Sequence, residues 1–424
     1  MTNLAGYRCS LCGAEYAPDQ VEYICPRHGD SGNLDVLLDL DRIRQSTSPA
    51  AIAATAEGSL WRYLPLLPVG DPGHAGTPLR AAGWTPLYWA ERLGQTLGLA
   101  ELFVKDDGRN PSASFKDRAS AVVVTRASEI GASVIVTAST GNAGAALAAM
   151  ARPAGQRAVI FAPQTAPPAK VAQLLIFGAR VLLVKGSYDQ AFDLSLAASR
   201  EFGWYCRNTG FNPFTVEGKK TAAFEICEQL TNWRPPSTAG WAAPDRIFVS
   251  VGDGNIITGI HKGLKDLAAL GWIDRMPKLM GVQAEGSAAV ANAWAAGTDK
   301  ITPVAAQTLA DSIAVDLPRD GVRAVRAVRE TGGAYITVSD DEILAGLKAL
   351  GGEAAVFAEP AGAASYAGLV KAVRQGLVGS SETIVVINTG SGLKDVKSAM
   401  RAAGEATLIE PWLSAVRTEV TGKR

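Results

Sequence analysis

The chain has 424 residues, and its 41 Lys+Arg and 41 Asp+Glu give a formal net charge of zero. That balance leaves no basic footprint for general nucleic-acid or membrane-surface binding, and no apolar run approaches the roughly 20 residues needed to cross a bilayer. The length exceeds what a single hydrophobic core usually fills, so more than one compact unit is expected.

The start, "MTNLAGYRCS", has no basic-then-apolar leader pattern, and a cytoplasmic location is the expectation. Cys9 and Cys12 form a C-x-x-C knuckle, and Cys25 and His28 a C-x-x-H. Two turns offering two ligands each suit a structural tetrahedral zinc, and a segment with so small a core needs such a staple. The alternative is a metal-free ribbon with an exposed His28. Residues 1–40 therefore read as a zinc-ribbon-like segment. From 41 to about 80 the chain is mixed, ending in the Pro/Gly-rich "LPLLPVGDPGHAGTPL", and reads as a connecting arm.

Strand-like and helix-like runs then alternate. "ELFVKDD", "SVIVTAS", "AVIFAP" and "RVLLVKG" are short β-rich runs. "SFKDRASAVVVTRASEIG", "GNAGAALAAMARPAG", "AKVAQLLIFGA" and "YDQAFDLSLAASREFG" have helical spacing. The theme returns in "RIFVSVG", "KLMGVQAEG" and "TIVVINTGSG". Such alternation predicts an α/β fold of parallel sheets with crossover helices. The expected division is a larger α/β domain from 41–115 and 210–424, and a smaller one from 116–209.

Three strands end in small, glycine-bearing turns, "TASTGNAGAALA", "SVGDGNIITGI" and "NTGSGLKD". Ligands bind beyond the carboxyl ends of strands in open α/β sheets, and a turn opening a helix offers backbone N–H groups to an anion. Neither the G-x-x-x-x-G-K-[ST] loop nor a G-x-G-x-x-G fingerprint after the first strand is present. "NPSASFKDR" adds Lys116, delivered by a loop of small residues at the mouth of a helix. Together these point to one phosphorylated organic ligand. Cys206 and Cys227 lack a local signature and read as buried structural thiols.

"NPSASFKDR", "STGNAG", "VGDGN", "NPFTVEGKKTAAFE", "EPAGAAS" and "TGSGLKD", in this order, resemble the threonine synthase family. The likeness extends over nearly the whole chain, including the ribbon and "GWTPLY". It implies pyridoxal-phosphate enzymes of the tryptophan-synthase-β-like fold type II, two open twisted parallel-sheet domains of which the larger holds the cofactor. By that resemblance Lys116 is the lysine that carries the cofactor, and Asn142 meets its phenolic oxygen. Gly252, Asp253, Gly254, Asn255 and Ile256 cup its phosphate, and Thr389 meets its pyridine nitrogen. Ser139, Thr140 and Gly141 grip the substrate carboxylate. Asp117 and Arg118 are expected to be a structural pair. A homodimer acting on a small phosphorylated amino acid is implied, with O-phosphohomoserine and water giving threonine and phosphate.

The family pattern is broken in places. Thr215 stands where an arginine helps bind the substrate phosphate, and Lys219 replaces a glutamine one helical turn on. Lys219 restores charge as a candidate substrate ligand, without arginine's bidentate fork. Arg319 is a second candidate for replacement charge, an exposed loop arginine being the alternative reading. Ser391 stands where histidine is common. Asp253 is an unexpected anion in the phosphate turn, expected to point away or cap the next helix. The alternatives left open are β-elimination or β-replacement on serine, threonine or O-phosphoserine, and a catalytically silent relative that uses its ribbon to bind protein.

Overall fold

Short β-branched runs followed by helical stretches become parallel strands in the computed structural model, which describes residues 3–139, 141–166, 168–234 and 240–421. The ribbon is a small antiparallel sheet, with β1 (Leu4–Cys9) between β2 (Glu15–Tyr16) and β3 (Leu34–Leu38). The chain then lays down β4 (Leu87–Trp89) and β5 (Glu101–Asp106). It leaves to build a separate four-stranded sheet from β6 (Val134–Ala138), β7 (Arg157–Pro163), β8 (Arg180–Val184) and β9 (Tyr205–Cys206). It returns with β10 (Arg246–Ser250), β11 (Lys278–Ala284), β12 (Ala334–Val338) and β13 (Thr383–Asn388). The small sheet has the order β8-β7-β6-β9 and the large one β12-β11-β10-β13-β5-β4.

The small sheet is wholly parallel, but the large one is mixed, because β4 runs antiparallel to β5. A parallel crossover takes a dozen or more residues. The link from β4 to β5 is shorter and holds only the helix Glu91–Leu97, so the chain can do no more than turn back. The supposed connecting arm is also more than a connection. It forms the helices Leu40–Ser46 and Pro49–Ala53 and a 3-10 stretch Leu60–Leu66, and it buries Trp61, Tyr63 and Leu66. Arg62 is buried too, held by Glu228 at 3.1 Å from Nε.

Helix Lys116–Glu129, the short helix Phe214–Lys219 and helix Asn255–Leu270 pack together beneath the strand ends. A Cβ on Gly218 would lie 2.1 Å from the Arg118 carbonyl oxygen, so only glycine allows the first two to touch. Asp117 and Arg118 are both buried and structural, but they do not pair with each other. Asp117 accepts from Ser112 N at 2.6 Å and from its hydroxyl. Arg118 donates to Asp107 at 2.6 Å and to Glu225 at 2.7 Å, and Lys105 meets the same Glu225 at 2.6 Å. Two cations and two carboxylates thus compensate one another out of water, as burial of charge requires. Among the described residues no helix is long and apolar enough to cross a membrane.

Candidate active site

Lys116 is the first residue of its helix, and the loop before it is pinned on two sides. Ala113 takes a left-handed φ of 62°, donates its N–H to Asn110 O at 2.7 Å and accepts from Ser391 N at 3.1 Å. Phe115 N donates to Thr389 O at 2.9 Å. A residue with a Cβ holds this conformation only when its surroundings fix it, and here they aim Lys116 across the strand ends. Two contiguous cavities meet there, both lined by Lys116, Thr209, Asp253 and Ser312. Nζ has no hydrogen-bond or ion-pair partner among the described residues. Burial pushes the Lys116 amine down to about 8, against the pull of Glu359 and with the push of Arg207.

The first cavity is bounded by Ser139, Gly141 and Asn142 at the end of β6. Ser139 Oγ accepts from Gly141 N at 3.1 Å. Thr140 lies outside the described residues. Asn142 opens the helix Asn142–Ala151, and both ends of its amide are engaged. Nδ2 donates to Glu359 Oε1 at 2.8 Å, and Oδ1 accepts from Lys394 Nζ at 2.9 Å. Sequence reasoning missed Glu359 and Lys394, although "EPAGAAS" and "TGSGLKD" contain them. Glu359 stands immediately before helix Pro360–Arg374 without a side-chain capping bond, and burial raises its carboxyl above the usual range. An ion pair between Lys170 and Asp311 lies beside this cavity; no local pattern marks either residue.

The second cavity is bounded by Ser250, the turn Gly252, Asp253, Gly254, Asn255 and Ile256, Lys219 and Thr389. Gly254 has φ 91°, and a Cβ there would lie 2.8 Å from Asp320 O, so the turn accepts nothing larger. Lys219 donates to Asn255 Oδ1 at 2.5 Å, and the Thr215 hydroxyl reaches the same atom at 3.2 Å. Asn255 Nδ2 is anchored on Asp320 at 2.7 Å. Lys219, expected among the substrate ligands, is therefore fixed against the glycine turn. No carboxylate pairs with it among the described residues, and burial holds its amine well below the lysine range.

Two expectations need correction. Asp253 does not cap the helix; the residue stands among those lining both cavities, and its Oδ1 accepts from Arg319 N at 3.4 Å. The cap is withheld because Gly254 itself takes the left-handed turn ahead of Asn255. Arg319 does not supply charge to the site, since its guanidinium is taken up by Asp189 at 3.0 Å and stacks on Phe192.

The donors of the second cavity suit a phosphorylated cofactor. Ser250 Oγ is buried without a partner. The Thr389 hydroxyl has no protein partner among the described residues, and the buried Lys219 amine has no carboxylate paired with it there. A buried polar group left so costs stability unless something else satisfies it.

Residues 79–390 match the family of pyridoxal-phosphate dependent enzymes. The chain is 38% identical to threonine synthase of Methanocaldococcus jannaschii over 95% of its own length and 96% of that protein's. To threonine synthase of Methanosarcina acetivorans it is 39% identical, over 98% of each. The chain belongs to the threonine synthase family. Solved structures carry the same fold at lower identity. Tomato threonine deaminase isoform 2 aligns with a TM-score of 0.63 and 24% identity, covering 76% of this chain and 88% of that one. Maize serine racemase gives 0.62 and 24%, covering 75% and 91%. Family membership and the fold type II architecture expected from the motifs both stand.

In this threonine synthase family member the ribbon also brings its four candidate ligands together. The ligand atoms of Cys9, Cys12, Cys25 and His28 lie within 4.8 Å of one another. Cys9 and Cys25 are buried, Cys12 and His28 exposed. Cys206 and Cys227 are buried elsewhere, and burial pushes each thiol up to about 12, which leaves them inert at neutral pH.

Proposed function

We infer that the protein is a pyridoxal-phosphate-dependent lyase that converts O-phosphohomoserine and water to threonine and phosphate. The observation that carries this reading is the position of Lys116, unpartnered among the described residues where the two cavities meet. On one side lies the Gly252–Ile256 turn with Lys219, suited to the cofactor phosphate, and Thr389, suited to the pyridine nitrogen. On the other lie Ser139 and Gly141, which with Thr140 would grip the substrate carboxylate, and Asn142, suited to the phenolic oxygen. Pyridoxal phosphate, when bound, supplies an electron sink for charge developing beside the amino-acid α-carbon. The chain supplies the rest. With its amine near 8, Lys116 Nζ can accept and return a proton at neutral pH. Glu359 and Lys394 hold the Asn142 amide in one orientation. A hydroxyl at Thr389, unlike a carboxylate, does not enforce a charged ring nitrogen, which favours elimination and replacement over amino transfer.

The same reading includes a structural zinc on Cys9, Cys12, Cys25 and His28, whose donor set and closeness fit a closed tetrahedral site. It also includes a larger cofactor-binding domain of 41–115 and 210–424, a smaller one of 116–209, and a homodimer working in the cytoplasm.

An absorbance scan with a phosphate-release assay tests the reaction. A visible band lost in Lys116→Ala, perturbed by O-phosphohomoserine with release of phosphate and threonine, supports it. A band perturbed only by serine, threonine or O-phosphoserine overturns it in favour of β-elimination or β-replacement.

A further inference from the structure

Where the ribbon enters β3, it grips the residues that open helix Gly321–Glu330. Asn33 Nδ2 donates to Arg319 O at 2.9 Å and to Asp320 Oδ1 at 3.4 Å. Arg323 Nη1 donates to Leu34 O at 3.1 Å and to Asp35 Oδ1 at 2.9 Å, and its Nε to Asp320 Oδ1 at 2.6 Å. Asp320 stands immediately before the helix, where an aspartate ordinarily caps. Its side chain makes no capping bond to that helix. It is buried and turned instead to the second cavity's turn, where Oδ2 accepts from Asn255 Nδ2 at 2.7 Å. Its backbone N–H donates to Asp253 O at 2.9 Å, so main chain and side chain hold the same turn.

Asn255 is the joint of this chain of contacts. Its Oδ1 receives both Lys219 Nζ and the Thr215 hydroxyl, so the amide must keep its oxygen on that side. An amide can turn over and offer either end, whereas an ionised carboxylate only accepts. Asp320 therefore fixes which end of Asn255 faces Lys219. Burial lowers the Lys219 amine, and Asp320 is foremost among the carboxylates that pull it back towards the charged form a phosphate needs. A buried carboxylate needs a compensating cation; Arg323 is that cation, and the ribbon holds Arg323. We propose that the ribbon is part of the apparatus that binds the cofactor phosphate: Asn33 and Asp35 hold Asp320, directly and through Arg323, and Asp320 is a positioning residue that sets Asn255 and Lys219 against the Gly252–Ile256 turn. This role rests on the cofactor reading given above.

The test titrates cofactor-free protein with pyridoxal phosphate and, separately, with pyridoxal, which lacks the phosphate, following the visible band. Wild type is compared with Asn33→Ala, Asp320→Asn, the double variant and Tyr23→Phe, and the melting temperature of each is measured. Tyr23→Phe is the control, because it loosens the ribbon from the small sheet alone. Loss of a hydrogen bond to a charged group predicts pyridoxal phosphate affinity weakened about 10- to 100-fold in Asp320→Asn and about 3- to 10-fold in Asn33→Ala. Asn33 acts through Asp320, so the double variant binds no more weakly than Asp320→Asn. Affinity for pyridoxal stays at the wild-type value throughout. Turnover at saturating cofactor is unchanged in Asn33→Ala, because Asn33 lines neither cavity. Tyr23→Phe melts lower with both affinities intact. Equal weakening towards pyridoxal and pyridoxal phosphate would mark general loosening and overturn the role. So would unchanged pyridoxal phosphate affinity in Asn33→Ala, or an equal loss in Tyr23→Phe. If Asp320→Asn does not fold, Asn33→Ala against Tyr23→Phe decides alone. Wild type that forms no band with pyridoxal phosphate, or binds pyridoxal as tightly, overturns the cofactor-phosphate reading itself and the role with it.

Discussion

Lys394 Nζ donates to Asn142 Oδ1 at 2.9 Å across 252 residues of sequence. With Glu359 on the other end of the amide, the side chain has one orientation available, with Nδ2 facing the carboxylate and Oδ1 the ammonium. The link ties the end of β6 in the small sheet to the turn after β13 in the large one, so it also fixes the two sides of the first cavity relative to each other.

Lys394→Met should therefore leave the cofactor in place but free Asn142 to rotate. A hydrogen bond to a charged group contributes roughly 1.5–3 kcal/mol, so kcat/KM should fall about 10- to 100-fold. Steady-state kinetics together with the position of the cofactor band check this. An unchanged kcat/KM would mean that Asn142 is oriented by Glu359 alone.

The pH dependence follows from Lys116. Its amine is lowered to about 8 in the folded protein, against 10.5 when unperturbed. Only the neutral amine captures an aldehyde, so uptake of pyridoxal phosphate by cofactor-free protein should rise with pH around a midpoint near 8. The linked stability has a definite sign. Between 8 and 10.5 the unfolded chain holds a proton that the folded one has released, so folding gains stability as pH rises through that window. In the cofactor-free protein, Lys116→Met should be more stable than wild type at pH 7, by on the order of 3 kcal/mol, with the difference vanishing above pH 10.5. Denaturant titrations at pH 7 and 11 measure both ends.

The buried quartet of Lys105, Asp107, Arg118 and Glu225 underpins the helix that carries Lys116. Arg118→Met leaves Asp107 without a cation and Glu225 with only Lys105. The cost should be about 3–5 kcal/mol, as when one partner of a buried pair is removed. Arg118→Lys should recover little, because one ammonium cannot serve both carboxylates as the guanidinium fork does. Glu225 is held down to about 2 by Arg118 and Lys105 against its burial. Its stabilisation is thus complete above about 4.5 and lost as pH falls towards 2. Acid unfolding of Arg118→Met should accordingly begin at higher pH than that of wild type.

Where a site residue belongs to a local pattern, the sequence was enough to find it. Lys116 stands out after a run of small residues, and the Gly252–Ile256 turn and Asn142 follow strands whose apolar runs are unmistakable. What was hidden depends on distant pairing. Glu359 and Lys394 matter because they meet Asn142, and Lys219 because Gly218 lets its helix press onto another; spacing along the chain encodes neither. Asp253 does not cap the helix as expected, because Gly254 takes the cap position with φ 91°. In the fold, β4 and β9 were too short to show periodicity, and the arm at 41–80 hid its helices among prolines and glycines.

The ribbon gives a last test, because its contacts reach both sheets. Tyr23 accepts at its hydroxyl from Cys206 N at 3.0 Å beside the small sheet. Asn33 Nδ2 donates to Arg319 O at 2.9 Å, and Arg323 reaches Asp35 at 2.9 Å, on the large-sheet side. Cys9 and Cys25 belong to the same apolar cluster as Phe214 and Val122, so metal on these thiols would brace the packing beneath the lysine helix. The purified protein should carry one zinc per chain. Thiolate ligands must give up protons to bind metal, so zinc should be lost progressively as pH falls. Chelation, or Cys25→Ser, should lower the melting temperature and expose the ribbon to protease before any other segment. Turnover at temperatures well below melting should persist, because no described ribbon residue lines either cavity. Metal analysis, limited proteolysis and a rate measurement on the chelated protein decide it, and a metal-free protein of unchanged melting temperature would remove zinc from the account.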